Sequence, residues 1–203
     1  MASINTNMSA TLAVSNLNKT TDEMTSVLTA MSSGKSINSA SDDAAGLAVY
    51  TAMSVDYAAW EQAGDNAEVA TAILETADGG LSEIGDILER MYELASEASS
   101  GSVTDTERAY LDSEYQELVA QVDSIVNSTT YFDTSLLDGT YNQNFTVSAD
   151  SSVAAIAVDL SAQAYDAASL GLAGDLTSAT NAATELTAIE AAVTTVSSGR
   201  ATV

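Results

Sequence analysis

The sequence predicts a mainly α-helical chain: an elongated antiparallel helical bundle or coiled coil with a small β-hairpin region. Three observations carry this. Small and apolar residues recur at alternating spacings of four and three at Ala63, Ala67, Ala70, Leu74, Ala77, Leu81, Ile84, Leu88, Met91 and Ala95. A 3.5-residue period of this kind keeps one stripe facing a partner helix over its whole length. The chain has no proline, where average usage gives about ten, and their absence favours long uninterrupted helices. Its 46% apolar content is rich in alanine and only 5% aromatic, which suits close helix contacts better than a thick globular core.

The first helix is expected over about residues 3 to 33, with Leu17, Met24, Val27, Leu28 and Met31 on one side. Ser, Thr and Asn dominate the rest, so this helix is weak alone and needs partners. Gly34 is placed to cap its C-terminus. Ser41, Asp42 and Asp43 then suit the start of a second helix, where carboxylates meet the positive end of the macrodipole. That helix runs from about 42 to 99, roughly 85 Å at 1.5 Å per residue. The seam extends backwards through Trp60, Asp56, Met53, Val49 and Gly46, with one polar interruption. Gly79 and Gly80 cost about 1 kcal/mol each relative to alanine and mark a bend, a close contact or a split.

The stretch SSGSVTDTE reads as a turn, and Thr104 to Glu107 has capping-box spacing. A third helix over about 104 to 128 repeats the seam and folds back antiparallel, since its connection is short. Residues 129 to 176 read as turns and short strands: Asp138-Gly139 signals a turn, and Phe145-Thr146-Val147 with Ile156-Ala157-Val158 a hairpin. From 177 the helical pattern returns and continues to Val203. The expected bundle core is Leu74, Leu81, Ile84, Leu88 and Met91 against Leu111, Leu118, Val122 and Ile125, completed by Leu186, Ile189, Val193 and Val196.

The net charge is −24, from 29 carboxylates and five bases, Lys19, Lys35, Arg90, Arg108 and Arg200. Five bases do not build a phosphate-tracking surface, so nucleic acid is not a partner, and an acidic membrane surface repels the chain. A solvated acidic face keeps a protein soluble, and adaptation to high salt is the sharper reading of the same charge. With no cysteine and no histidine there are no disulfides and no Ser-His, Cys-His or usual zinc chemistry, so neither an enzyme nor a cofactor or metal is expected. The adjacent Asp42 and Asp43 are better explained by capping than by acid–base work. No apolar run of membrane-spanning length occurs, and the N-terminus lacks the pattern of a cleaved secretory signal.

Five strings in order resemble the flagellin family: MASINTNMSA, SSGKSINSASDDAAGLAV, TTYFDTSLLDG, ASLGL and AIEAAVTTVSSGRA. The resemblance implies a structural, non-enzymatic subunit of an extracellular bacterial flagellar filament, polymerising with its own copies for motility. It also implies unfolded type III export, with the flagellar export apparatus, a chaperone and the filament cap as partners. Residues 1–42 then correspond to an inner-tube helix and spoke, 43–128 to rod helices, 129–176 to a β-turn and hairpin region, and 177–203 to the start of a C-terminal rod helix. Relative to typical flagellins, the C-terminal inner-tube segment and the variable outer domains are expected to be missing. The alternatives are a hook–filament junction protein and a soluble ligand of an innate immune receptor.

In flagellins recognised by the flagellin-sensing Toll-like receptor, an arginine, a leucine and a glutamate on the rod helices carry recognition. Arg90, Leu94 and Glu114 stand in the matching strings LERMYELAS and LDSEYQEL. Arg90 and Leu94, four apart, share a helix face, and arginine suits an interface anchor. The competing reading pairs Arg90 with Glu93 or Glu114 and leaves Leu94 as packing, with the same surface serving protofilament contacts.

Overall fold

A computed structural model describes residues 7–148 and 155–203. In chain order the elements are α1 (Met8–Ser33), α2 (Ala44–Ser99), α3 (Asp105–Ser128), β1 (Thr130–Tyr131), β2 (Thr134–Ser135), β3 (Asn142–Phe145), β4 (Ile156–Asp159) and α4 (Ala179–Thr202). The chain divides into two units, residues 1–58 and 59–203, and α2 contributes to both.

In the first unit, Asn7 caps α1, its side chain accepting from the Ser9 and Ala10 N–H groups at 3.2 Å. The first part of the helix expected from residue 3 lies outside the described residues. Five threonines, Thr11, Thr20, Thr21, Thr25 and Thr29, turn their hydroxyls back onto carbonyls four residues earlier at 2.8–3.2 Å. Gly34 ends the helix in the left-handed region at φ 67°, where glycine carries no Cβ penalty. The two aspartates before α2 divide the labour. Asp42 accepts from the Asn38 and Ser39 N–H groups and shapes the loop, whereas Asp43 caps α2 through the Gly46 N–H at 2.9 Å.

The second unit holds the core. α2 is continuous through Gly79 and Gly80, and the close-contact reading is the one that applies to Gly80: a Cβ there would meet the Thr129 hydroxyl at 2.7 Å and Leu137 at 3.0 Å. α3 lies antiparallel to α2, tied by Arg90 to Glu114 at one level and Arg108 to the Ala98 carbonyl at another. α4 also runs antiparallel to α2, since Tyr92 meets Glu190 and Asp78 meets Arg200. The capping box at Thr104 and Glu107 is formed in both directions.

The buried stripe of α2 is broader than a two-position seam, because Ile73, Ile87, Leu94 and Ala98 are buried beside Leu81, Ile84, Leu88 and Met91. Leu74 lies at the edge of the core, as do Leu111, Leu118 and Ile125 of α3 and Leu186 of α4. Tyr115, Val122 and Val126 form the centre of the α3 contribution. On α4 the buried positions are 182, 185, 189, 192, 196 and 199. Ile189 and Val196 belong to this stripe, but Val193 is 40% exposed, because that spacing of three and four turns position 193 outward. The backward extension of the α2 seam is likewise exposed at Val49, Met53 and Trp60 in this single chain.

Between α3 and α4 the chain adds a second layer to the core. Leu136 and Leu137 are fully buried, with Tyr141, Tyr165, Leu170, Leu172 and Leu176 alongside. This segment is fastened to one face of α3. Asp112 accepts from the Leu176 N–H at 2.9 Å, Gln116 donates to the Gly174 carbonyl at 2.9 Å, and Asp123 accepts from the Ala167 N–H at 2.8 Å. The hairpin pairs β3 with β4 from Asn142↔Asp159 to Phe145↔Ile156, so Thr146 and Val147 fall outside the ladder expected to contain them. The register is set by the anchor at its base, where the buried Leu160 donates to the buried Tyr141 carbonyl at 2.9 Å, not by the polar Asn-Gln-Asn strand itself.

β1 and β2 form a two-residue hairpin whose turn residues, Phe132 and Asp133, both have positive φ, 46° and 61°. That geometry favours Asn-Gly, and a bulky residue in the left-handed region is strained. Phe132 recovers only an edge-to-face contact with Tyr131 while remaining 87% exposed. Phe132→Asn is therefore expected to stabilise the chain by about 0.5–1 kcal/mol, read as a higher urea midpoint. A lower midpoint would show that the aromatic contact outweighs the strain.

Candidate interaction interface

The first unit exposes an apolar face that its own residues leave uncovered. None of the residues of α1 is buried. Val14, Leu17, Met24, Leu28 and Met31, spaced 3, 7, 4 and 3, line one side of the helix at 56–76% exposure. On α2, Val49, Tyr50, Met53, Val55 and Tyr57 are similarly open. Val14, Leu17, Met24, Leu28 and Met31 thus form an apolar stripe along α1 that a partner could cover. Lys35 stands 5.4 Å from the centre of the Tyr50 ring and gives the loop side of the face a cationic edge.

A second surface lies across α2 and α3. Arg90 donates through Nε and Nη2 to Glu114 at 3.0 and 2.7 Å and through Nη1 to Glu93 at 2.9 Å. These bonds, Glu114 first, hold the guanidinium above its ordinary pKa. The groups are about half exposed, so the pairs position side chains more than they stabilise the fold. Arg90 and Glu114 are thus brought together on the surface. Leu94 is not: at 1% exposure it belongs to the core, because it continues the α2 stripe through 87, 91, 94 and 98.

The groove between α2 and α4, lined by Gly85, Tyr92, Glu190 and Val193, presents carboxylates beside partly exposed apolar side chains. Among the described residues no group of three or more potential ligands is arranged to hold a metal ion, and no helix is long and apolar enough to cross a membrane.

Carboxylates elsewhere hold loops rather than a reactive centre. Hydrogen bonds from Thr177 and Asn181 lower the pKa of Asp175, as Ser161 does for Asp159 and Ser169 for Asp166. A carboxylate with a lowered folded pKa contributes stability that is complete above its unfolded value, about 4. That contribution disappears as pH falls through the folded value. The thermal midpoint of the parent chain should therefore exceed that of Asp175→Asn at neutral pH, and the difference should shrink progressively as pH falls below about 4 and through the lowered folded value. The paired comparison cancels the relief of net negative charge that acid brings to both chains. A difference independent of pH would show that Asp175 acts through shape alone.

The family described as the bacterial flagellin N-terminal helical region matches residues 4–142. A flagellin of Listeria monocytogenes is 38% identical over 137 residues, which make up 68% of this chain and 48% of that protein. A flagellin of Halalkalibacterium halodurans is 33% identical over 198 residues, 97% of this chain and 73% of the relative. The crystal structure of Bacillus cereus flagellin superposes with a TM-score of 0.57 at 28% identity, covering 66% of this chain and 77% of that one. The chain thus spans about half the length of the Listeria relative and a larger share of the other two.

Proposed function

This chain belongs to the bacterial flagellin family, and on that premise we propose that it is a structural subunit of the extracellular flagellar filament. In this reading it assembles with its own copies through faces that the single chain leaves open. The observation that carries the reading is α1, a 26-residue helix with no buried residue and an apolar stripe of heptad spacing. Such a helix is marginal in isolation and becomes stable when a neighbouring surface covers the stripe. The export apparatus, a chaperone and the filament cap are the further partners that this role implies. Its chemistry is packing, and no catalytic step is assigned to it.

Electron microscopy of the purified chain at high concentration and near-molar salt, alone and extended by a flagellin C-terminal segment, tests the reading. Filaments are expected, and Leu17→Asp with Leu28→Asp should abolish them without unfolding the bundle of the second unit. Absence of filaments from both parent forms would sink the subunit reading. Filaments persisting in the double variant would remove α1 from the interface.

A receptor-ligand reading of the Arg90 surface rests on Arg90 and Glu114, because Leu94 is enclosed in the core. Arg90→Asp should abolish receptor binding in a direct titration while leaving the helical signal intact. Undiminished binding would remove this surface from the receptor role.

A further inference from the structure

The buried stripe of α4 nearly repeats itself every seven residues. Ala182, Ile189 and Val196 form one row, and Glu185, Ala192 and Gly199 the other. Sliding the helix by one heptad places Ile189 where Ala182 was, Val196 where Ile189 was and Ala192 where Glu185 was. Apolar burial alone distinguishes these alignments weakly, since small or branched residues replace one another. Glu185 is the member that breaks the repeat.

Glu185 is 6% exposed and accepts a hydrogen bond of 2.7 Å from the hydroxyl of Tyr115, itself fully buried. Burial first, and then this bond, raise the Tyr115 pKa well above the ordinary phenol value, so the phenol remains the donor. The carboxylate lies against Gly174, where a Cβ would overlap it. Gln116 holds that position to α3 through the Gly174 carbonyl. Among the described residues no salt bridge involves Glu185. A buried, cation-free carboxylate is a poor source of stability, but a single polar group in a helical seam is an effective determinant of alignment.

We propose that the Tyr115–Glu185 hydrogen bond, seated against Gly174, is a register key that selects one of the heptad-related alignments of α4 against its partner helices. In a slipped alignment Tyr115 would face Ala192, and its buried hydroxyl would be left without an acceptor. The key discriminates by penalising the wrong alignment, and the apolar stripe supplies adhesion in either.

The absence of cysteine allows a direct test. Nitroxide labels at Glu97→Cys on α2 and Ser197→Cys on α4, two exposed positions well separated along the bundle, report axial slip by pulsed electron paramagnetic resonance. The parent should give one distance. Adding Tyr115→Phe with Glu185→Leu should produce a second population, displaced by up to roughly 10 Å for a seven-residue slip. The helical signal should be kept and the thermal midpoint unchanged or raised. A single unchanged distance in the double variant would overturn the proposal. So would loss of its helical signal, because the pair would then hold the bundle together instead of choosing its alignment. Tyr115→Phe alone preserves the ring and should already broaden the distribution.

Discussion

Replacing Leu88 with alanine is expected to destabilise the chain by about 2–5 kcal/mol, the range for removing a fully buried leucine and leaving a partly relaxed cavity. Leu88 has no exposed surface and lies in the α2 stripe between Ile84 and Met91. The core side chains around it lose contacts when it is truncated, since well-packed interiors close only partly over a missing group. Urea unfolding followed by circular dichroism measures the loss. A cost under about 0.5 kcal/mol would contradict the assignment of this stripe to the core.

Arg108→Met should cost about 3 kcal/mol, through a different route. Arg108 is 7% exposed and extends back from the first turn of α3 to the end of α2. Its Nε donates to the Ala98 carbonyl at 2.8 Å and its Nη2 to the Ser100 carbonyl at 2.9 Å. Carbonyls at a helix end have no partners within the helix, and the guanidinium satisfies one of them, Ala98, together with the Ser100 carbonyl in the turn that follows. Methionine keeps much of the stem but takes this donor from the Ala98 carbonyl and leaves the Ser100 carbonyl with only the Val103 N–H at 3.3 Å. The third contact, to Asp105 at 3.0 Å, adds little because that carboxylate is 94% exposed. Arg108→Lys should recover only part of the loss, since one ammonium does not reproduce the planar fork. Full stability in the methionine variant would show that water replaces the guanidinium without penalty.

The three bundle helices were legible because their signals are local and periodic. Repetition of apolar residues at three and four, absence of proline and the Thr104–Glu107 box each act within a few residues, and the structure forms the corresponding helices and caps. Exact faces were less legible. The α4 pattern through Leu186 and Val193 is as apolar as the stripe that is buried, and the buried stripe includes Glu185, whose hydrogen-bond partner Tyr115 is 70 residues away in sequence. No local signal marks Glu185 as interior. The Phe132-Asp133 turn escaped detection for the opposite reason: it is local but lacks the glycine or asparagine that usually announces such geometry.

The interaction surface divides in the same way. The stripe of α1 was visible as an amphipathic pattern, and in the structure it is exposed. For Arg90, Leu94 and Glu114, sequence spacing placed the first two on a common face. A helix face is wide, however, and four residues of advance carry Leu94 across the boundary from surface to core. Which side of that boundary a residue takes depends on where α3 lies, and α3 is a neighbour in space more than in sequence.

The threonines of α1 have a consequence for transfer between solvents. A helix rich in hydroxyls ordinarily resists enclosure, since each hydroxyl taken from water must find a new partner. Here five hydroxyls already donate to the helix's own carbonyls. Covering those threonines therefore removes water from their methyl groups without stranding the five donors. Threonines that look hydrophilic by composition behave, once helical, as side chains that tolerate enclosure.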